Sequence, residues 1–155
     1  MQIKWEGVMP AVTTKFTKED TLDLEMFEIN IQAQLKAGVS AIILGGTLGE
    51  ASTLTDDEKK ILIQETVRIV DGNIPVIINI AEQTTKGAIE AASKAKKYGA
   101  SGLMMLPPMR YKANDFETVT YFKEVAKSTD LPIMIYNNPV DYGIEVTLDM
   151  FEELL

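Results

Sequence analysis

The stretch Ala41-Ile42-Ile43-Leu44-Gly45-Gly46-Thr47-Leu48-Gly49-Glu50 joins a short apolar run directly to a glycine-rich loop. The apolar run has the length and composition of a buried β-strand. Glycines after a strand let backbone N–H groups approach an anion closely, and Thr47 adds a hydroxyl donor. A carboxylate is the favoured ligand, because a P-loop would carry Lys and then Ser or Thr after its last glycine, where this loop has Glu50. A plain tight turn is the alternative interpretation of the loop.

The same order of strand and helix repeats along the chain in units of about 30 residues. The other apolar runs that predict strands cover residues 8–12, 75–80, 102–106 and 131–136. Amphipathic stretches between them predict helices over residues 24–37, 55–70, 84–98, from 114 and from 147. Continuous apolar strands are typical of parallel sheets covered on both faces. Two architectures fit this pattern: a doubly wound open sheet and part of a (β/α)8 barrel.

Start signals support several of these helices. Thr55 with Glu58 and Asn114 with Glu117 have the spacing of capping boxes, and Thr84 or Thr85 is placed to cap the third helix. We expect Glu50 to lie at a helix start, where the helix dipole favours its charge. The expected apolar faces are Phe116, Val119, Phe122 and Val125 on the fourth helix, and Leu148, Phe151 and Leu155 on the last.

Composition narrows the function. The 155 residues are 46% hydrophobic and 25% charged, with a net charge of −8 and no Cys or His. The acidic balance argues against nucleic acid or an anionic membrane as partner. The missing Cys and His exclude thiolate nucleophiles, Ser-His-Asp triads and His- or Cys-ligated metals, so we predict no metal and no cofactor. The remaining Lys, Tyr, carboxylates and hydroxyls suit imine chemistry on a carbonyl substrate. With no signal-peptide core at its beginning, the chain is expected to be cytoplasmic.

Candidate site residues follow the predicted strands, because ligands bind at the carboxyl ends of parallel strands. Tyr136 ends the fifth strand and is either a core residue or a proton carrier held by Thr47. Arg110 is either a solvated loop charge or a clamp for a substrate carboxylate. Asn138 follows Tyr136 and is a candidate substrate-binding residue.

The chain resembles the N-terminal part of the dihydrodipicolinate synthase/N-acetylneuraminate lyase family. The resemblance is carried by the segments at residues 7–14, 46–50, 51–58, 75–77 and 136–139, in order and with matching spacing. It implies a (β/α)8 barrel, usually a homotetramer, that forms a lysine Schiff base with pyruvate or a related 2-keto acid. It also implies that Gly46, Thr47 and the backbone of Leu48 bind the keto-acid carboxylate and that Tyr136 assists proton transfer.

The resemblance places the Schiff-base lysine on the sixth strand, beyond Leu155. We therefore expect residues 1–155 to form a single partial barrel domain of about five βα units, inactive alone. A catalytically inactive half-barrel that pairs its open sheet edges, or a flavodoxin-like binding domain, are the non-enzymatic alternatives.

Three departures from synthase members bear on the substrate. Leu48 stands where synthases carry a second Thr, Met109-Arg110-Tyr111 where they have a Tyr, and Val140-Asp141-Tyr142 where they have an Arg. The resemblance is therefore closer to catabolic members. These include the deaminases of 4-hydroxy-1-pyrroline-2-carboxylate, which we favour, and the 2-keto-3-deoxy sugar-acid aldolases and dehydratases. Dihydrodipicolinate synthase itself is the remaining alternative.

Overall fold

The computed structural model describes residues 3–108 and 111–155. Four parallel strands form one sheet: β1 (Ile42–Leu44), β2 (Val76–Ile80), β3 (Gly102–Met105) and β4 (Ile133–Ile135). The helices are α1 (Leu24–Lys36), α2 (Asp56–Val70), α3 (Thr85–Tyr98), α4 (Asp115–Ser128), α5 (Pro139–Tyr142) and α6 (Leu148–Leu154). None of the helices in these residues has both the length and the apolar character that crossing a bilayer requires.

Local signals account for where the helices begin. Asp23 caps α1, and Gly38, at φ +75°, follows its end. Both predicted capping boxes are present, at Thr55 with Glu58 and at Asn114 with Glu117. Thr84, rather than Thr85, caps α3 through the amide of Gly87.

The strand order decides between the two architectures that the sequence left open. The strands lie side by side in chain order, β1-β2-β3-β4, without the reversal that defines a doubly wound sheet. The buried apolar residues of α1 to α4 all belong to one core cluster, together with Ile42, Val76 and Leu103 of the sheet. A smaller second cluster, on the other face, contains Ile43 and Ile77 and no helical residue. Helices on one face only are the arrangement of a barrel wall.

The first predicted strand, at residues 8–12, forms one isolated bridge rather than a strand of the sheet. Residues 8–12 run beside β1 in parallel, and Val12 N–H donates to the Ile43 carbonyl at 3.0 Å while Ile43 N–H donates to the Pro10 carbonyl at 2.9 Å. The ladder is reduced to one bridge, Ala11 to Ile43. Pro10 has no N–H to donate, and this explains why the pairing does not extend.

Three further expectations were wrong. Phe116 is 78% exposed although Val119 and Phe122 are buried, so the apolar face of α4 is shorter than predicted. In α6 the buried residue is Met150, whereas Leu148 is 81% exposed. Glu50 does not start a helix, because it adopts a left-handed backbone at φ +58° and α2 begins at Asp56.

Candidate active site

The glycine-rich loop after β1 forms a short 3₁₀ turn over Thr47–Gly49. The amide of Gly49 donates to the Gly46 carbonyl at 2.9 Å, and the amide of Glu50 donates to the Thr47 carbonyl at 3.1 Å. Within the described residues, the amides of Thr47 and Leu48 donate to no backbone carbonyl outside the turn. These two N–H groups and the Thr47 hydroxyl are therefore free to bind an acceptor.

Two side chains from neighbouring segments hold this loop at its ends. Asn79, on β2, donates through Nδ2 to the Gly45 carbonyl at 2.8 Å. Thr14, after the segment 8–12, donates its hydroxyl to the Gly49 carbonyl at 2.6 Å. Gly45 has φ +67°, a conformation that favours glycine, so its carbonyl can turn toward Asn79. The loop is thus positioned by contacts from two other strand ends rather than by its own turn alone.

Asn79 faces the inner side of the sheet, the side of the second cluster. It lies two residues after Ile77 of that cluster on β2, and alternate residues of a strand face the same side. Its Oδ1 is buried and has no partner within the described residues. The amide orientation is set by the bond from Nδ2 to Gly45, since a flipped amide would place two oxygens against each other.

Tyr136 follows β4 directly and is anchored by its backbone. Its amide donates to the Met105 carbonyl at 2.8 Å, and its side chain is 40% exposed. The ring meets that of Tyr142 edge to face, with centroids 6.0 Å apart and planes at 61°. Of the two alternatives in the sequence, Tyr136 therefore fits a site residue better than a core residue.

The two asparagines after Tyr136 have structural contacts. Asn137 pairs with the backbone of Val146, donating to its carbonyl at 2.9 Å and accepting from its amide at 3.0 Å. Asn138 caps α5, accepting from the amide of Asp141 at 3.3 Å. These bonds tie the segment that carries α5 to the end of β4.

A cavity of about 380 Å³ opens on the inner side of the sheet at the carboxyl ends of the strands. The loop contributes Gly46, Thr47 and Leu48 to its wall. The other lining residues are Met9, Ala11, Ile43, Asn79, Met104, Leu106, Met134, Tyr136 and Tyr142. Its wall therefore combines apolar side chains with neutral hydroxyl and amide groups.

A second cavity of about 450 Å³ lies beside the first. The two cavities share Thr47, Asn79, Leu106 and Tyr142 as a common wall. Lys59 and Glu82 are the charged residues that line the second cavity. No group of three or more acidic side chains placed to hold a metal ion occurs within the described residues.

The structure thus brings together Gly46, Thr47, Leu48 and Tyr136, four of the candidate site residues, around one cavity. Asn138 is not among the residues that line this cavity, and its side chain caps α5. Arg110 lies outside the described residues.

Sequence reasoning missed the place of Tyr142 in the cavity wall. The signal was Asn138-Pro139, a helix cap followed by Pro in the first turn, which predicts the short helix α5 that presents Tyr142.

The family model described as "Dihydrodipicolinate synthetase family" matches residues 4–155. The chain belongs to this family. It is 39% identical to the 4-hydroxy-tetrahydrodipicolinate synthase of Thermotoga neapolitana over 142 residues, which are 92% of this chain and 48% of the relative. It is 37% identical to that of Exiguobacterium sibiricum over 145 residues, covering 94% of this chain and 50% of the relative.

Solved structures agree with the fold. The crystal structure of a dihydrodipicolinate synthase from Bacillus anthracis matches with a TM-score of 0.94 at 30% identity, covering 99% of this chain and 52% of that one. A prophage protein of the dihydrodipicolinic acid synthase family from E. coli K12, in complex with pyruvate, matches with a TM-score of 0.90 at 31% identity, covering 97% and 50%.

The chain spans about half the length of the curated relatives it matches. Its fold is that of about the first five βα units of a (β/α)8 barrel, with the segment 8–12 in the place of the first strand.

Proposed function

We propose that this chain forms the N-terminal half of a Schiff-base-forming lyase or hydrolase that acts on a small 2-keto acid or a cyclic imino acid. The observation that carries the proposal is the convergence of Thr47, the Leu48 loop segment and Tyr136 on one cavity at the carboxyl ends of parallel strands. In barrels of this kind, that end of the sheet is where catalysis occurs.

Carboxylate binding is assigned to the 3₁₀ turn. The hydroxyl of Thr47 and the free amides of Thr47 and Leu48 donate to the substrate carboxylate. Hydrogen bonds to an ionised acceptor are shorter and stronger than those between neutral groups, so three neutral donors suffice without a cation. The bonds from Asn79 and Thr14 keep the turn in the orientation that binds the substrate.

Proton transfer is assigned to Tyr136. Within the described residues, the Tyr136 hydroxyl has no hydrogen-bond partner, and the side chain lines the same cavity as Thr47. A tyrosine there can donate a proton to the carbinolamine oxygen as water leaves, and accept one from the substrate in the later step.

The imine is formed by a lysine that the family resemblance places beyond Leu155. Its unprotonated amine adds to the keto carbon, and loss of water gives a protonated imine that accepts the electron pair of the bond broken next to it. The proposal assigns this role to none of the lysines in residues 1–155.

The proposed substrate class follows from two positions at which this chain differs from the synthase members of the family. The Thermotoga and Exiguobacterium relatives are synthases, and dihydrodipicolinate synthesis remains one candidate. Leu48 has no hydroxyl to continue a proton relay from Thr47, and Asp141 is an anion where a clamp for a second carboxylate requires a cation. These two residues favour a catabolic reaction, either deamination of 4-hydroxy-1-pyrroline-2-carboxylate or cleavage or dehydration of a 2-keto-3-deoxy sugar acid. Arg110 is proposed to bind the distal end of the substrate, and Asn138 is proposed as a further substrate-binding residue.

Borohydride trapping tests the proposal. The complete barrel that carries this chain as its N-terminal half is incubated with pyruvate, with the hydroxypyrroline carboxylate and with a panel of 2-keto acids, then reduced. Intact mass spectrometry is expected to show a covalent secondary amine with at least one of them. If no adduct forms with any member of the panel, the imine mechanism is wrong.

The proposal includes a homotetramer in the cytoplasm that uses no metal and no cofactor. The tetramer rests on the family resemblance alone. Light scattering on the complete barrel, with activity measured after dialysis against a chelator, tests both assembly and metal independence.

A further inference from the structure

Tyr142 occupies a position that the proposed reaction does not yet use. Its side chain is half-buried and lines both cavities, together with Thr47, Asn79 and Leu106. Its ring lies against that of Tyr136, with centroids 6.0 Å apart. Within the described residues, its hydroxyl has no hydrogen-bond partner. A phenol that lines a cavity with an unused hydroxyl is available to a ligand.

The backbone around Tyr142 is held firmly. The Tyr142 amide donates to the Asn138 carbonyl at 3.1 Å, and the following residue, Gly143, closes α5 at φ +66°. Asn138 caps the start of the helix, and Asn137 pairs with Val146 on the far side. A side chain on a segment tied at both ends is placed with little freedom, so its hydroxyl can discriminate between ligands.

The path of a substrate leads past this residue. A keto acid whose carboxylate binds at Thr47 has its carbonyl carbon near Tyr136, in the first cavity. Thr47 and Tyr142 both belong to the wall that the two cavities share, so atoms beyond the carbonyl lie between residues of that wall. Pyruvate ends in a methyl group, whereas a longer keto acid presents further atoms to this wall.

Resting on the proposed function, we propose that Tyr142 is a specificity-determining residue that hydrogen-bonds a hydroxyl on the substrate beyond its keto carbon. The site then prefers hydroxylated 2-keto acids with one carboxylate to their deoxy analogues. A neutral phenol donates to and accepts from a hydroxyl equally well. Its neighbour Asp141 carries a negative charge, which disfavours a second carboxylate at this end of the ligand.

The test compares ligands that differ by one hydroxyl. In the complete barrel, 2-oxobutanoate and 4-hydroxy-2-oxobutanoate compete with pyruvate for borohydride trapping, and the ratio of their inhibition constants is measured. One neutral hydrogen bond predicts that the hydroxylated acid binds about three- to tenfold more tightly. In Tyr142→Phe, which keeps the ring and removes the hydroxyl, the ratio is expected to fall to near unity.

Tyr98→Phe is the matched control, because Tyr98 lies at the end of α3 and lines neither of the two cavities. It is expected to keep the wild-type ratio. A wild type that does not prefer the hydroxylated acid, or a Tyr142→Phe variant that keeps the preference, overturns the inference. Tighter binding of 2-oxoglutarate than of 4-hydroxy-2-oxobutanoate overturns the single-carboxylate part. Failure of every acid tested, pyruvate included, to be trapped in the wild type overturns the proposed function itself and the inference with it.

Discussion

At the residue scale, the candidate site depends on a few polar contacts between segments that are distant in sequence. Asn79 lies 34 residues from Gly45 along the chain, and Thr14 lies 35 residues from Gly49. Each donates one hydrogen bond to a carbonyl of the loop that carries Thr47. The loop therefore depends on side chains that lie far from it along the chain.

Replacing Thr47 tests carboxylate binding directly. Thr47→Val keeps the shape of the side chain and removes its hydroxyl, which is expected to weaken pyruvate binding in the complete barrel about tenfold. Thr47→Ser restores the donor and is expected to recover most of the loss. Because Thr47 is exposed, neither change should alter the thermal unfolding midpoint appreciably. Equal pyruvate KM values for the Val and Ser variants would show that the Thr47 hydroxyl does not bind the substrate.

Removing the Asn79 side chain tests its positioning role. Asn79→Ala deletes the bond to the Gly45 carbonyl, and we expect KM for the keto acid to rise several-fold because the turn loses its orientation. Asn73→Ala is the matched control, since Asn73 also donates to a backbone carbonyl, that of Val70 at 2.9 Å, but lies outside the cavity wall. If both variants raise KM equally, Asn79 has only a structural role.

At the element scale, the capping residues at the start of each helix determine where that helix begins. The capping box at α2 is complete, with the Glu58 carboxylate accepting from the Thr55 amide at 2.8 Å. This helix starts shortly after the candidate carboxylate-binding turn, so its first residue limits how far the loop between them can move. The short helix α5 plays the corresponding part after β4, where its cap places Tyr142 in the cavity wall.

Loss of the α2 cap is expected to destabilise the folded state measurably. Thr55→Ala is expected to lower the free energy of unfolding by about 1 kcal/mol, since the cap satisfies an amide that is otherwise unpaired. Thr55→Ser keeps the hydroxyl and is the control. Urea unfolding followed by circular dichroism measures the difference, and an unchanged midpoint in the Ala variant would contradict the assignment.

The same cap predicts a dependence on pH. The hydrogen bonds from the backbone amide and then from the hydroxyl of Thr55 hold the pKa of Glu58 below its usual 4.5. Because the folded pKa is lower than the unfolded one, the contribution is complete above about pH 4.5 and is lost as the pH falls through the folded value. The stability difference between wild type and Thr55→Ala is therefore expected to shrink in acid. Urea midpoints between neutral and acidic pH test this, and a constant difference would contradict it.

At the scale of the whole molecule, the sheet is open at β4. Its three residues, Ile133, Met134 and Ile135, are only partly buried, whereas the residues of β1 and β3 are fully buried. An unpaired edge of parallel strands invites pairing with another chain. The 155-residue chain is therefore expected to associate with itself and, without a lysine in the family's position, to show no turnover.

Association can be measured and disrupted. Sedimentation of the 155-residue chain is expected to show oligomers that grow with concentration across the micromolar to millimolar range. Met134→Lys places a charge at the edge and is expected to reduce them, whereas Met26→Lys, on the exposed face of α1, is the control. A chain that stays monomeric throughout would refute the pairing. Aldol cleavage or deamination by this chain alone would refute its expected inactivity.

Much of the fold could be predicted because its signals are local. Apolar runs located the four sheet strands. Capping boxes located the starts of α2 and α4, and a capping Thr located the start of α3. The error at residues 8–12 came from Pro10 within that segment, which limits its pairing with β1. The errors at Phe116 and Leu148 arose because other elements decide which residues of α4 and α6 are covered.

The positions of some candidate site residues could be predicted for the same reason. Tyr136 follows β4 directly and Thr47 lies three residues after β1, so strand topology alone places them at one end of the sheet. The chain by itself therefore determined a parallel βα repeat, a glycine-rich turn as the candidate anion site, and a composition without Cys or His. Only the tertiary structure decided between a barrel wall and a doubly wound sheet, fixed the turn through Asn79 and Thr14, and brought Tyr142 to the cavity. The position of the turn depends on contacts between residues more than thirty positions apart, which no local pattern encodes.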